Sequence, residues 1–227
     1  MSSGIPILIL IYYLNKFSVS IKRGKVMIYN TEQLEMVIQQ IQKDDVIVFP
    51  TDTVYGIGAR IDSDKGLKKI FEVKNRPSEK SLIILCANIQ QMEEIVGPLD
   101  QQTLKLVEAF LPGGLTFILD VYKPISEEIT RGKKTVGVRI PDHPVAIKLI
   151  EALGPLATTS ANISGEPSPM TIDLSNPVIS RVEYVIDAGL TKEQIPSTIL
   201  KCKGGELSIL RQGAISEEQI KEVLFKN

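Results

Sequence analysis

Apolar positions recur along this chain with two periods, and the alternation between them predicts the architecture. Leu34, Val37, Ile38 and Ile41 fall at the spacing of one helix face, and Asn30 with Gln33 three residues on supplies a capping box at its start. A short apolar run, Val46–Phe49, is then stopped by Pro50 and reads as a strand. The helical period returns over Asp64–Lys74 with Leu67, Ile70 and Phe71 inward, and an extended run covers Ser81–Cys86. Further helices are predicted over Asp100–Phe110, over Pro144–Leu153 with Ala146, Leu149, Ile150 and Leu153 on one face, and over Glu217–Phe225 behind a Ser216/Gln219 capping box. Further strands are predicted at Leu115–Val121, Thr135–Ile140, Leu156–Thr159, Glu183–Ile186, Ser197–Leu200 and Leu207–Leu210.

Helix and strand alternate from Asn30 onward without low-complexity linkers or repeats, which is the pattern of one continuous α/β domain. Several strand pairs, such as the two flanking Gly204-Gly205, leave no room for a crossover helix. The expected fold is therefore a single twisted, mixed parallel and antiparallel sheet with flanking helices. The domain is expected over residues 27–227, with residues 1–26 a dispensable extension. That extension holds Ile5–Leu14, an apolar run about half the ~20 residues that a bilayer span requires. Its basic residues, Lys16, Lys22, Arg23 and Lys25, all follow the run instead of preceding it as in a signal peptide, so no membrane role is expected.

Composition narrows the chemistry. In 227 residues, 26 Lys and Arg face 27 Asp and Glu, so an anion site must come from local clustering. One histidine, His143, and two cysteines, Cys86 and Cys202, cannot build a four-ligand Cys/His zinc site or a disulfide framework. The cysteines read as buried strand residues of a protein in a reducing cytoplasm, and His143 as a structural turn residue. With no Trp and 5% aromatic residues, few side chains are available to stack bases.

Four segments carry polar chemistry. Phe49–Ala59 follows a strand, and Gly56 with Gly58 lets backbone approach a ligand closely; a tight β-loop is the plainer alternative. From Lys65 to Lys80 there are six cations against two anions, and Pro77 is expected to end the helix and hold Arg76 and Lys80 on a stiff turn. The alternative there is a solvated helix end. Arg139, in a second basic cluster with Arg131, Lys133 and Lys134, shares a strand face with Gly137 and needs an anionic partner if buried. Either a ligand carboxylate or a salt bridge would serve. Thr158–Ser168 holds five hydroxyls, an amide and a glycine at a strand end, a donor-rich cradle for a sugar and polyphosphate without a Walker lysine. Ser197-Thr198 at a strand start and Arg211 behind another strand complete the set.

The ordered motifs FPTDTVYGIGA (49–59), KNRP (74–77), LPGGLTFIL (111–119), TVGVRIPDHP (135–144), TTSANISGEPSP (158–169), PSTI (196–199) and ILRQG (209–213) resemble the YrdC domain family, the threonylcarbamoyl-AMP synthases. The resemblance covers roughly Met27–Gly213 and implies a YrdC-like fold. It also implies a nucleotidyltransferase that condenses L-threonine, bicarbonate and ATP into threonylcarbamoyl-adenylate and pyrophosphate, for threonylcarbamoyladenosine in tRNA. On the matching motifs, Thr53, Arg139, Thr158 and Ser197 would surround threonine, with Arg139 on its carboxylate. Arg76, Lys80, Thr135, Ser160, Ser168 and Arg211 would hold the nucleotide, with Asn162 of the S-x-N signature supporting the same loop. Lys74 would face the phosphates with Arg76, and these two form the catalytic pair. Longer relatives place a histidine where this chain has Leu85, so one threonine contact is absent. The motifs look like the short bacterial form, without the extra C-terminal domain.

No side chain has to be a strong base in such a reaction, because positioning and charge neutralisation carry most of the barrier. Mg²⁺ is expected to enter with ATP, held largely by the triphosphate, with no carboxylate cage. Expected partners are downstream threonylcarbamoyl-transfer proteins, with a tRNA contact open to test. Three other readings compete: an RNA-binding module, a carbamoyl-adenylate enzyme using another carbamoyl source, and a relative that binds nucleotide without activating threonine.

Overall fold

The computed structural model describes residues 21–23, 26–203 and 206–225. Ile5–Leu14 and the Gly204-Gly205 turn lie outside them. The strands are β1 (Ile21–Arg23), β2 (Val26–Asn30), β3 (Ile47–Phe49), β4 (Gly56–Arg60), β5 (Ile83–Leu85), β6 (Leu115–Asp120), β7 (Thr135–Arg139), β8 (Leu156–Ser160), β9 (Tyr184–Asp187), β10 (Thr198–Lys203) and β11 (Glu206–Arg211). Among the described residues they form one sheet in the order β1-β2-β9-β3-β4-β8-β5-β7-β6-β10-β11. The sheet is mixed, as expected: β2/β9, β3/β9, β5/β7 and β6/β10 run parallel and the remaining pairs antiparallel. The expected boundary at Met27 falls inside β2, and β1 extends the sheet upstream of it.

The helices are α1 (Leu34–Gln40), α2 (Asp64–Lys74), α3 (Ile89–Val96), α4 (Gln101–Phe110), α5 (Glu127–Thr130), α6 (Pro144–Leu153) and α7 (Glu217–Phe225). Their starts are built as the sequence suggested. Asn30 and Gln33 close a reciprocal capping box, here on a 3-10 turn that leads into α1, and Ser216 with Gln219 does the same before α7. His143 caps α6 by accepting the Val145 N–H at Nδ1, a structural role. Helix α2 ends at Lys74 as expected, but Asn75 and not Pro77 stops it. Asn75 takes the left-handed conformation (φ 48°, ψ 44°) and terminates the helix two residues before Pro77.

Strand alternation separates two cores. Leu67, Ile70 and Phe71 of α2, Met92 and Ile95 of α3, Leu106 and Val107 of α4 and Ile220 of α7 pack with Val48, Ile57, Ile84, Phe117 and Val138. Leu34 and Val37 of α1 and the apolar face of α6 pack instead with Ile47, Phe49, Leu85, Leu156 and Ile186. This second core draws side chains from β2, β9, β3, β8 and β5, and none from β7, β6, β10 or β11. Among the described residues no helix joins this core over β7, β6, β10 and β11, and that stretch of the sheet face holds the polar chemistry.

Candidate active site

A cavity of about 330 Å³ opens on the uncovered face. Its floor follows from strand register. Gly56 lies opposite Ser160 and Gly58 opposite Thr158, Thr158 opposite Ile83, Ile83 opposite Gly137, and Leu85 opposite Arg139. Further along, Thr116 pairs with Ile199 and Ile199 with Arg211. A side chain at Gly56 would put its Cβ 2.9 Å from the Thr158 methyl, and one at Gly58 would sit 3.0 Å from both Phe49 and the Thr158 hydroxyl. The segment read as a possible loop is a loop from Pro50 to Tyr55 and strand β4 from Gly56, and glycine is needed at 56 and 58 because the Thr158 and Phe49 side chains approach too closely for another side chain.

Nine of the expected site residues line this one cavity: Thr53, Arg76, Lys80, Arg139, Thr158, Ser160, Ser168, Ser197 and Arg211. Arg76 comes off the end of α2 and is held by the Ser81 carbonyl (2.6 Å), the Lys80 carbonyl (3.3 Å) and the Thr159 hydroxyl (3.2 Å). Arg211 donates from Nη2 to the carbonyl (2.7 Å) and hydroxyl (3.3 Å) of Ser197, whose hydroxyl meets that of Thr116 at 2.8 Å. The Arg211 position depends on a close crossing. A Cβ on Gly213 would lie 2.1 Å from the Pro196 carbonyl oxygen and 2.5 Å from the Ser197 carbonyl carbon. Gly213→Ala is expected to destabilise by roughly 1–3 kcal/mol, because backbone cannot give way there. Thermal unfolding checks this, and an unchanged melting temperature would mean the 211–215 turn shifts freely.

Three expected residues sit elsewhere. Thr135, at the start of β7, is outside the cavity lining. Asn162 is turned into its own loop, where its side-chain amide donates to the carbonyls of Ile163 and Glu166, both at 2.8 Å. Lys74 is 1% exposed and its ammonium reaches the backbone carbonyls of Ser160 and Asn162, so it braces the cradle from behind. Burial, and then the cations Arg76 and Lys80, push the Lys74 amine down to about 7. The two carbonyls it donates to oppose that shift by favouring the ammonium.

Arg139 answers the demand for an anion with a residue the sequence reading quoted but did not assign. Asp52, 1% exposed, accepts from its Nη2; Thr53 Oγ1 accepts from Nη1 at 2.9 Å and the Gly113 carbonyl from Nε at 2.8 Å. A guanidinium has five N–H groups, so two remain. Burial pushes the Arg139 pKa down and Asp52 pulls it up. The Thr51 hydroxyl donates to the Val54 carbonyl (2.7 Å) and accepts the N–H groups of Thr53 (3.2 Å) and Val54 (3.3 Å), so its proton and both lone pairs are engaged before its 3.0 Å contact with the Thr53 hydroxyl. Thr53 accepts from Arg139 Nη1 and presents a hydroxyl that can donate to or accept from a ligand. Thr51, Asp52, Thr116 and Thr159 are the site residues that sequence reasoning did not single out. The signal available for Asp52 was the need of a strand-borne arginine for a buried counter-charge.

Cys86 lies just past β5 and Cys202 within β10, both buried as free thiols that burial pushes up to about 12. Neither is a poised nucleophile. Among the described residues no helix is long and apolar enough to cross a membrane.

Comparison with known proteins places this geometry. A family model described as Telomere recombination, covering Sua5, YciO and YrdC proteins, matches residues 39–213. The threonylcarbamoyl-AMP synthase of Bacillus subtilis is 39% identical over 199 residues, covering 86% of this chain and 57% of that protein. A Methanocaldococcus jannaschii protein named putative threonylcarbamoyl-AMP synthase is 35% identical over 188 residues, covering 82% of this chain and 88% of that one. Among solved structures, Pyrococcus abyssi Sua5 complexed with L-threonine superposes with a TM-score of 0.81 at 34% identity, covering 87% of this chain and 61% of that one. The chain thus spans little more than half the length of the first curated relatives it matches. With its mixed sheet and lined face, and with a family model spanning most of its length, the chain belongs to the Sua5/YciO/YrdC family.

Proposed function

We propose that this protein condenses L-threonine, bicarbonate and ATP into threonylcarbamoyl-adenylate and pyrophosphate. One observation carries the reading: a single open cavity has two differently built cationic poles. At one, a buried arginine keeps two N–H groups beside the Thr53 hydroxyl, a match for an α-amino acid's carboxylate and amine. At the other, Arg76, held at the Thr159 hydroxyl, and Lys80 share the lining with the hydroxyls of Ser160 and Ser168, and Arg211 reaches in from Ser197, a match for a nucleotide triphosphate. The names of the Bacillus and Methanocaldococcus relatives and the threonine in the Pyrococcus structure support the same assignment.

In the reaction, the neutral threonine amine adds to carbon dioxide with release of a proton, or to bicarbonate with release of water, and an oxygen of the resulting carbamate then attacks the α-phosphorus as the bond to the leaving pyrophosphate breaks. Arg139, Thr53, Thr158 and Ser197 orient the amino acid. Arg76, Lys80 and Arg211 neutralise phosphate charge, and Lys74 holds the Ser160 loop against them. The lining offers hydroxyls and cations but no carboxylate, so Mg²⁺ would arrive with the triphosphate and be coordinated mainly by phosphate and water. The product would pass to threonylcarbamoyl-transfer proteins acting on tRNA, in the cytoplasm.

Purified protein is expected to release pyrophosphate from ATP only when threonine and bicarbonate are both present. Coupled pyrophosphate detection, with each substrate omitted in turn, checks this. ATP turnover that ignores threonine would sink the reading.

A further inference from the structure

Asp52 lies behind the cavity wall and does not line it, yet it joins three segments that do. Its Oδ1 accepts from Arg139 on β7 and from the Asp142 backbone N–H (3.1 Å), and its own carbonyl accepts the Glu193 N–H (2.8 Å). Its neighbours Thr51 and Thr53 lie on the lining, and so do Pro196 and Ser197, three and four residues past Glu193. Lys192 further ties the last segment to the first by an ion pair with Asp142 at 2.9 Å. The second oxygen of Asp52, Oδ2, is buried and has no partner among the described residues.

We propose that Asp52 is a positioning residue for amino-acid recognition: it holds the Arg139 guanidinium so that its two remaining N–H groups face the ligand carboxylate beside the Thr53 hydroxyl. This rests on the reading that the cavity takes an α-amino acid. Two effects of the carboxylate oppose each other. As a negative charge beside Arg139 it weakens attraction for an incoming carboxylate, so its removal would tighten binding if charge dominated. As an anchor it fixes one guanidinium nitrogen while Thr53 and Gly113 fix the others, and a guanidinium free to rotate loses bidentate geometry. The geometry favours the anchor, because the remaining two contacts do not hold the Nη2 corner.

Calorimetric titration of L-threonine and, separately, of ATP into the full-length protein and two variants tests this. Asp52→Asn keeps the shape and one oxygen acceptor for Arg139, whereas Asp52→Ala removes the anchor. The threonine Kd is expected to rise at least about tenfold in Asp52→Ala and less than about threefold in Asp52→Asn, with the ATP Kd unchanged in both. Tighter threonine binding in either variant would make Asp52 a charge compensator and overturn the proposal. So would an unchanged threonine Kd in Asp52→Ala. If Asp52→Ala does not fold, a tenfold loss in a folded Asp52→Asn with normal ATP binding would also overturn it, because the retained acceptor would then not be what matters. Absence of threonine binding by the unaltered protein would instead overturn the amino-acid reading itself.

Discussion

Arg139→Ala is expected to have the largest effect of any single substitution in the cavity, on stability and on threonine use together. The side chain is 3% exposed, and its loss leaves the Asp52 carboxylate buried with only the Asp142 N–H beside it. Removing one partner of a buried ion pair costs about 3–5 kcal/mol, chiefly because the abandoned charge stays desolvated. In a chain of this size each kcal/mol moves the melting temperature by about 2–4 °C, so a fall of roughly 6–20 °C is expected. The threonine KM should rise well beyond the ATP KM, since Arg76, Lys80 and Arg211 are untouched. Thermal unfolding and steady-state kinetics on the soluble fraction measure both. A change of a degree or less would mean that water reaches Asp52 in the variant.

Lys74→Met should separate bracing from phosphate contact. The wild-type amine is pushed down to about 7 from an ordinary 10.5, so between those values the unfolded chain binds a proton that the folded chain does not. Wild-type stability should therefore rise from pH 7 toward pH 10 by a term that is missing in Lys74→Met, and the two should run parallel below pH 7. A neutral amine still has two N–H groups for the carbonyls of Ser160 and Asn162, so deprotonation leaves the brace in place. Methionine abandons both carbonyls, at about 1–3 kcal/mol for each one left buried. The Ser160 loop should loosen and the ATP KM should rise. Melting curves across pH 6–10 decide the point: identical pH slopes would show that Lys74 stays charged in the fold.

These two residues also show where the sequence was legible and where it was not. Capping residues made α1 and α7 readable, because a capping box is a local contract between residues three apart. Connections too short for a crossover helix made the mixed sheet readable. Helix α3 was not anticipated, since eight residues with only Met92 and Ile95 inward give barely two turns of periodicity. Strand β4 looked like a loop because Gly56 and Gly58 are poor strand formers, yet the packing against Thr158 demands them. The ligand cradle was legible as a cluster of hydroxyls, but the direction of Lys74 was not: a charge count cannot tell a cation facing a cavity from one facing backbone behind it. Asp52 was hidden by distance, 87 positions from the arginine it holds.

The hairpin of β10 and β11 closes one end of the cavity and is also, among the described residues, the edge of the sheet, with β11 mostly exposed and bonded there on one side only. Edge elements with little cover open at lower free energy than the core does. Ser197, Ile199 and Arg211 all lie on or beside this hairpin, so one wall of the binding site lies at a thinly covered margin of the sheet. A ligand that touches Arg211 must hold that edge closed, and part of its intrinsic affinity is consumed in doing so. Occupancy of the site and protection of the sheet margin are then one equilibrium, and the bound protein should be a stiffer object than the free one along this border alone.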